Sequence, residues 1–212
     1  MKFEKEFKEA ISHLPSKEKD RLILRLLKKD LALANRLHFE LLDGDSADDR
    51  REKMRERIDR FFSERYSFYS PGYLMMDLRY RSGDINEHVN ITKDKYGEVD
   101  LSLHLLITAL KKDNEYLAQA GFSKSRKCLI YIIAKVFKIM MLSRKLHEDI
   151  QYDFREKFEE LGTLIGMNPR LMEMAIHHGL DVNWLLDADI PDDIEAIHKD
   201  LRQRGFLKST GR

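Results

Sequence analysis

The chain has 212 residues, of which 42% are hydrophobic and 35% charged, and its formal net charge is +1. A chain of this length can bury a substantial core, as one domain or two small ones, and its hydrophobic content excludes intrinsic disorder. The balanced charge produces no overall field that would attract nucleic acid or an anionic membrane, so any such binding has to be local.

Other features exclude further classes of protein. The single cysteine, Cys128, has no partner for a disulfide within the chain and cannot build a cysteine-based zinc site. Residues 1–10 lack the apolar segment of a secretory signal. No apolar run reaches the roughly 18 residues that span a bilayer. We therefore expect a cytoplasmic protein without a membrane partner.

Residues 128–142, CLIYIIAKVFKIMML, predict the central helix of the fold. At about 100° per residue, roughly two-thirds of the circumference of this helix is apolar, so neighbours should pack on several sides. The remaining sector is roughly 80° wide and holds the five residues that we call the lysine stripe. The lysine stripe consists of Lys124, Lys127, Lys135, Lys138 and Lys145.

The chain before residue 45 predicts two helices. Apolar residues at helical spacing form a short first helix that stops near Pro15. Ser16 is expected to cap a second helix that runs to about Leu42, because a serine oxygen can accept a hydrogen bond from a free backbone N–H. Leucines and isoleucines lie on two sides of this second helix, so we expect both sides to be buried.

The next stretch predicts a helix that is capped by Ser46 and continues into Tyr69. Pro71 suits the first position of a new helix, since it has no N–H to leave unpaired. Gly83 is expected to end that helix, and residues 90–100 predict the clearest loop of the chain.

The second half of the chain also contains apolar residues at helical spacing, with proline and cap residues at the expected helix starts. Residues 101–118 predict a helix with apolar residues on opposite sides, which is typical of a middle layer. The central helix follows, and then a helical pattern that Gly166 closes. Asn168–Pro169 predicts the cap and start of a short helix, and Pro191 predicts the start of the final one.

No segment shows the alternation of a strand, so we predict an all-α fold with essentially no β-sheet. Residues 70–84 and 168–181 share a proline-started short helix, a glycine and a nearby aspartate. This similarity favours an irregular antiparallel multi-helix stack resembling an α-solenoid over a four-helix bundle. We expect residues 1–212 to form a single all-helical domain. The alternative is a division into two parts near residues 1–96 and 97–212.

Two passages resemble small all-helical bacterial families that have no assigned function. They are HLPSKEKDRLILRLLKKD, residues 13–30, and ITKDKYGEVDLSLHLLITAL, residues 91–110. The likeness extends over roughly residues 1–120. It implies a helical-repeat fold and transfers no catalytic motif to this chain.

Candidate metal ligands are sparse. His147 begins the pattern nearest to HExxH, but Gln151 occupies the second ligand position and cannot supply an imidazole. Glu195 and His198 form the only Glu-x-x-His pair, whereas a di-iron carboxylate bundle needs two pairs and two further glutamates. We predict no metal and no cofactor. His177–His178 is interpreted as a pair at a helix C-terminus, where positive charge complements the dipole.

No catalytic residue is predicted, because the sequence has no Gly-x-Ser-x-Gly turn, Walker loop or Gly-x-Gly-x-x-Gly. Cys128 lies beside Lys127 near a helix start, and both features lower the pKa of a thiol. It also leads into an apolar run, so we expect a buried, inert thiol. Asp48–Asp49 and Asp192–Asp193 stand at predicted helix starts, where the helix dipole explains them. An enzyme would have to assemble its site from scattered residues.

The lysine stripe is the strongest functional candidate. Residues 121–147 contain seven bases and no acid, whereas residues 148–212 contain 14 acids and 8 bases. In one interpretation the acidic C-terminal third packs beside the stripe, or the lysines keep one face in water. In the other, the stripe is a track about 30 Å long for phosphates or an acidic partner. Tyr131 is the only aromatic residue in the sector, which disfavours a stacking platform for single strands.

From these observations we expect a non-catalytic helical scaffold of the bacterial cytoplasm that binds another protein through a groove or flank of the stack. The alternative is local binding of nucleic acid or a phosphate ligand by the lysine stripe. The sequence leaves the oligomeric state and the identity of the partner open.

Overall fold

The computed structural model describes residues 3–65 and 70–208. These residues form twelve α-helices and no β-strand, which confirms the all-α class. None of the helices in this part of the chain is both long enough and apolar enough to cross a membrane. The helices are α1 (Lys5–Ser12), α2 (Ser16–Leu27), α3 (Leu31–Leu42), α4 (Ala47–Glu64), α5 (Pro71–Thr92), α6 (Lys95–Gln119), α7 (Phe122–Ser143), α8 (Glu148–Tyr152), α9 (Arg155–Gly166), α10 (Pro169–His177), α11 (Asn183–Leu186) and α12 (Ile194–Gln203).

The chain divides into two compact units. The N-terminal unit comprises Met1–Gly44 with Asn90–Thr92, and the main unit comprises Asp45–Val89 with Lys93–Arg212. The first division along the chain therefore falls after Gly44, whereas the sequence suggested a subdivision near residue 96.

The main unit is built around α6 and α7, which pack against each other. Helices α4 and α9 pack on α6, while α10 and α12 pack on α7. The buried apolar residues of α7 are Cys128, Leu129, Ile130, Ile132, Ile133, Val136, Phe137, Ile139 and Met140. Helix α6 buries leucines on opposite sides, among them Leu101, Leu103, Leu105 and Leu106. The predicted central helix and the predicted middle-layer helix are both confirmed.

Cap residues predicted several helix starts correctly. The Ser46 hydroxyl accepts a hydrogen bond from the Asp49 N–H at 3.1 Å, and the Asp49 carboxylate accepts one from the Ser46 N–H at 2.8 Å. This reciprocal capping box begins α4. Ser70 caps α5 with Pro71 in its first turn, and Asn168 caps α10 in the same way. The expected continuation of α4 into Tyr66, Phe68 and Tyr69 lies outside the described residues.

The prediction that Gly83 ends a helix is wrong. Helix α5 passes through Gly83 without a break, and nothing lies within 4 Å of the position that a Cβ atom would occupy there. The loop predicted for residues 90–100 is also wrong, because only Lys93 and Asp94 separate α5 from α6. The Asp94 carboxylate accepts a hydrogen bond from the Gly97 N–H at 2.8 Å and so starts α6 at once.

The single helix predicted from Ser16 to Leu42 is wrong as well. It is divided into α2 and α3, because the Asp30 carboxylate accepts a hydrogen bond from the Leu33 N–H at 3.0 Å and caps a new helix. The side chain of Ser16 makes no capping bond, since Pro15 is the N-cap of α2. No residue of α2 or α3 is buried, so the burial expected on two sides is absent from these helices.

Replacement of Gly83 by alanine tests whether this glycine is an ordinary helix-interior position. We expect Gly83→Ala to raise the free energy of unfolding by about 0.5–1 kcal/mol, because alanine loses less backbone entropy in a helix. Urea denaturation would measure the change.

Gly179→Ala is the matched control. Gly179 has a φ of +73°, and an added Cβ would lie 2.8 Å from Leu201 Cδ2. We expect this variant to lose stability. A loss of stability in Gly83→Ala would show that α5 is strained or broken at Gly83.

Candidate functional site

The structure places the lysine stripe along α7 and pairs its C-terminal half with acidic residues. Lys138 Nζ lies 3.3 Å from a carboxylate oxygen of Glu98, in the first turn of α6. Lys145 Nζ lies 2.7 Å from a carboxylate oxygen of Glu195, in the first turn of α12. Two of the five lysines are therefore neutralised locally by neighbouring helices.

Lys135, in the middle of the stripe, is only 7% exposed. Burial and the nearby charge of Lys138 lower its pKa from 10.5 to about 8, against the opposing attraction of Glu98. Tyr131, one turn earlier in the same sector, contacts α5. Its hydroxyl lies 3.4 Å from Ser82 Oγ, and the Arg79 guanidinium lies 5.4 Å from its ring centroid. The sector is thus partly covered, and the stripe is not one continuous exposed track.

The N-terminal end of the stripe remains open. Lys124 and Lys127 are exposed, and neither forms an ion pair within residues 3–65 and 70–208. Gly121 is the N-cap of α7 and offers no side chain to the free N–H groups of its first turn. A pocket of about 540 Å³ lies between this end of α7 and α10, lined by Phe122, Arg126, Glu173, Met174, Ile176 and His177.

The two adjacent histidines lie at the C-terminus of α10, as the sequence predicts, with His177 in its last turn. His178 is the C-cap of α10 and is buried, and its Nδ1 accepts a hydrogen bond from the Leu207 N–H at 3.2 Å. Burial, together with the charges of His177 and Arg126, lowers the pKa of His178 to about 4. His178 is therefore neutral at physiological pH and anchors the chain after α12.

Cys128 is 1% exposed, and burial raises the pKa of its thiol to about 12. A thiol in this environment is protonated and unreactive, as the apolar sequence around it predicted. Across residues 3–65 and 70–208, no three His, Cys, Asp or Glu side chains are clustered so that they could hold a metal ion.

Sequence reasoning missed a series of buried ion pairs between α4 and α6. Asp100 of α6 is 1% exposed, and its two oxygens accept hydrogen bonds from Arg55 of α4 and Lys157 of α9. Asp113, roughly three to four turns further along α6, contacts Arg65 beyond the end of α4. Arg55 stands in the charged run at the start of α4, which is typical of a helix face exposed to solvent. No local pattern in the sequence shows that residues about 50 positions apart form ion pairs.

A third member of this series lies at the start of α6. Arg51 Nε is 3.0 Å from an oxygen of Asp94, and His88 Nε2 is 3.3 Å from the same oxygen. Burial raises the pKa of Asp94, but hydrogen bonds from His88 and Gly97 and the Arg51 charge outweigh burial and lower it below its usual value. Each of these carboxylates is paired with a cationic side chain from another part of the main unit.

Sequence reasoning also missed an apolar groove in the N-terminal unit. The groove has a volume of about 690 Å³ and lies between α1 and α2. It is lined by Phe7, Ala10, Ile11, Leu14, Glu18, Arg21, Leu22 and Arg25, which we call the α1–α2 groove. The sequence predicts apolar residues on both helices, and for the second helix it predicts that they are buried.

The fold and its candidate sites define an all-helical protein with a well-packed main unit and an open apolar groove near the N-terminus. No protein-family model matches the chain, no curated protein matches it significantly, and no solved structure matches it at a significant level. The function must therefore be argued from the geometry of the sites themselves.

Replacement of Lys135 by methionine tests the environment of the stripe. Because the pKa of Lys135 is about 8 in the folded chain against 10.5 for an ordinary lysine, the unfolded chain binds the proton more tightly between these values. Stability should rise as the pH increases through this window. Lys135→Met should remove that slope and raise the free energy of unfolding at pH 7 by about 1–3 kcal/mol. Denaturation between pH 7 and 10.5 would measure both effects.

Lys124→Met is the control, since the same substitution at an exposed lysine should change stability by less than about 0.5 kcal/mol. If Lys135→Met instead destabilised the protein, the buried ammonium of Lys135 would have a stabilising partner. The conclusion that burial of this charge costs stability would then be wrong.

Proposed function

We propose that this protein is a non-catalytic helical scaffold of the bacterial cytoplasm, and that it binds another polypeptide through the α1–α2 groove. The helices would form the irregular stack, resembling an α-solenoid, that the sequence predicts. The observation that carries the proposal is the apolar, uncovered face of the first two helices.

The exposure of this face is unusual for a folded chain. No residue from Phe3 to Gly44 is buried, although the segment is rich in leucine, isoleucine and phenylalanine. Its exposed large apolar side chains are Phe3, Phe7, Ile11, Ile23, Leu24, Leu26, Leu31, Leu33, Leu41 and Leu42. Phe7 and Ile11 of this set line the α1–α2 groove, and exposed apolar patches are typical of protein-interaction sites.

The main unit supports the non-catalytic part of the proposal. Its buried carboxylates Asp94, Asp100 and Asp113 are paired with cationic side chains, and its cysteine thiol is protonated. These groups explain the packing of α4, α6 and α9 and do not converge on a cleft where a substrate could react.

A charge placed in the groove tests the proposal. Ile11 lines the groove and is 37% exposed, so Ile11→Asp should remain folded but lose binding by at least about 30-fold, the effect of a central apolar contact. The measurement is capture of a second polypeptide by the tagged full-length chain, followed by a direct affinity measurement on the captured species.

Leu41→Asp is the matched control, because Leu41 is 76% exposed in the same unit and does not line the groove. It should bind as the unmodified chain does, and circular dichroism should show equal helix content in both variants. A chain that retains no polypeptide, or an affinity that both substitutions reduce equally, would contradict the proposal.

The alternative proposal is local binding of nucleic acid or a phosphate ligand by the lysine stripe. It is supported only at the N-terminal end of α7, where Lys124 and Lys127 are exposed and Arg126 lines the adjoining pocket. Lys135 is buried and Lys138 and Lys145 form ion pairs, so Lys124 and Lys127 are the stripe lysines that are exposed and form no ion pair within the described residues.

Charge reversal separates the two proposals. If the stripe binds phosphates, the double variant Lys124→Glu/Lys127→Glu should lose at least about tenfold in affinity for a short RNA or DNA, and binding should weaken steeply with salt. Fluorescence anisotropy would measure both. The control is Lys199→Glu/Lys208→Glu, which makes the same change in net charge at other exposed lysines. If the two double variants bound the nucleic acid with equal affinity, binding by the lysine stripe would be excluded.

A further inference from the structure

We propose that the occupant of the α1–α2 groove is the α1–α2 face of a second copy of this chain, so that two protomers close a four-helix bundle around a two-fold axis. This inference rests on the proposed function and names the partner. Its support comes from the spacing of the lining residues, from the charged lining residues Glu18, Arg21 and Arg25, which we call the rim, and from the lack of any buried residue between residues 3 and 44.

The lining residues have the spacing of a helix–helix seam. Along α1 and the turn after it they are Phe7, Ala10, Ile11 and Leu14, at positions i, i+3, i+4 and i+7. Along α2 they are Glu18, Arg21, Leu22 and Arg25, at the same four positions. Two adjacent helices with this spacing resemble one half of a four-helix bundle, in which α1 and Leu22 of α2 supply the apolar contacts. A second copy of this chain presents the same spacing.

The lining residues of α1 and of α2 also differ in charge, and this difference favours self-association. The α1 residues are all apolar, whereas three of the four α2 residues are charged and of both signs. Glu18, Arg21 and Arg25 form no ion pair within the described ranges of the chain. In an isologous dimer the two-fold axis brings each surface against itself, so a rim with both signs can place Glu18 of one protomer near an arginine of the other. A uniformly acidic or basic partner would instead meet like charge.

The N-terminal segment needs a partner that is always present. Segments of this size rarely build a sufficient core alone, and here no residue from Phe3 to Gly44 is buried. The contacts that α1 makes with α2 include a hydrogen bond from Lys19 Nζ to the Ser12 carbonyl at 2.7 Å. A second copy is available wherever the chain is made, and the net charge of +1 produces little repulsion between copies.

Complementary rim variants test this inference on the full-length chain. Glu18→Arg makes the rim entirely basic, and Arg21→Glu/Arg25→Glu makes it entirely acidic. Analytical ultracentrifugation of the unmodified chain up to about 100 μM should show a dimer. Each variant alone should dimerise at least about tenfold more weakly, and an equimolar mixture should recover the affinity of the unmodified chain. Rim residues are exposed, so these substitutions leave the fold intact.

Three results would overturn the inference. The unmodified chain could stay monomeric, or it could form a dimer that neither the rim variants nor Ile11→Asp weakens. The third result is a mixture of the rim variants that does not recover the affinity of the unmodified chain. If the monomeric chain still captures a different protein in an Ile11-dependent manner, the proposed function stands and only the identity of the partner is wrong. If the monomer binds vesicles of phosphatidylcholine and phosphatidylglycerol through Ile11, the groove meets a lipid surface and both proposals fail.

Discussion

The apolar surface of α7 is wider than one neighbouring helix can cover, and this constraint organises the main unit. Burying a leucine or isoleucine side chain contributes about 1.5–3 kcal/mol, so leaving several sides of α7 in water would be strongly unfavourable. Helices α6, α10 and α12 pack around it, and α6 is itself enclosed by α4 and α9. The buried carboxylates Asp94, Asp100 and Asp113 of the main unit are paired inside this arrangement, whereas Lys135 is buried at its edge without an ion pair in the described residues.

The buried ion pairs are the consequence of that packing. Asp100 and Asp113 lie on the buried helix α6, where an isolated carboxylate would be costly, and arginine or lysine side chains from α4, α9 and the chain after α4 neutralise them. The ion pairs of Lys138 with Glu98 and of Lys145 with Glu195 are more exposed, so they contribute less to stability than the buried pairs.

The N-terminal unit has the opposite balance. Its helices are amphipathic, yet none of residues 3–44 is fully buried, and the α1–α2 groove remains open to solvent. The main unit thus buries its apolar residues, whereas the N-terminal unit carries exposed apolar side chains. This contrast is the physical reason for assigning binding to the first two helices and stability to the main unit.

The sequence by itself determined the features that depend on local chemistry. The all-α class, the buried segment 128–142 and the cap at Ser46 follow from hydrophobic periodicity and capping residues. The sequence-based prediction was wrong at Gly83, where α5 continues. Apolar residues of α5 on both sides of Gly83, such as Leu78 and Ile85, are buried, and this packing outweighs the low helix propensity of glycine. Only the tertiary structure decided which apolar faces are covered, that Lys135 is buried, and which distant charges pair. Periodicity shows which surface of a helix is apolar, but what lies against that surface is set by residues far away in the chain.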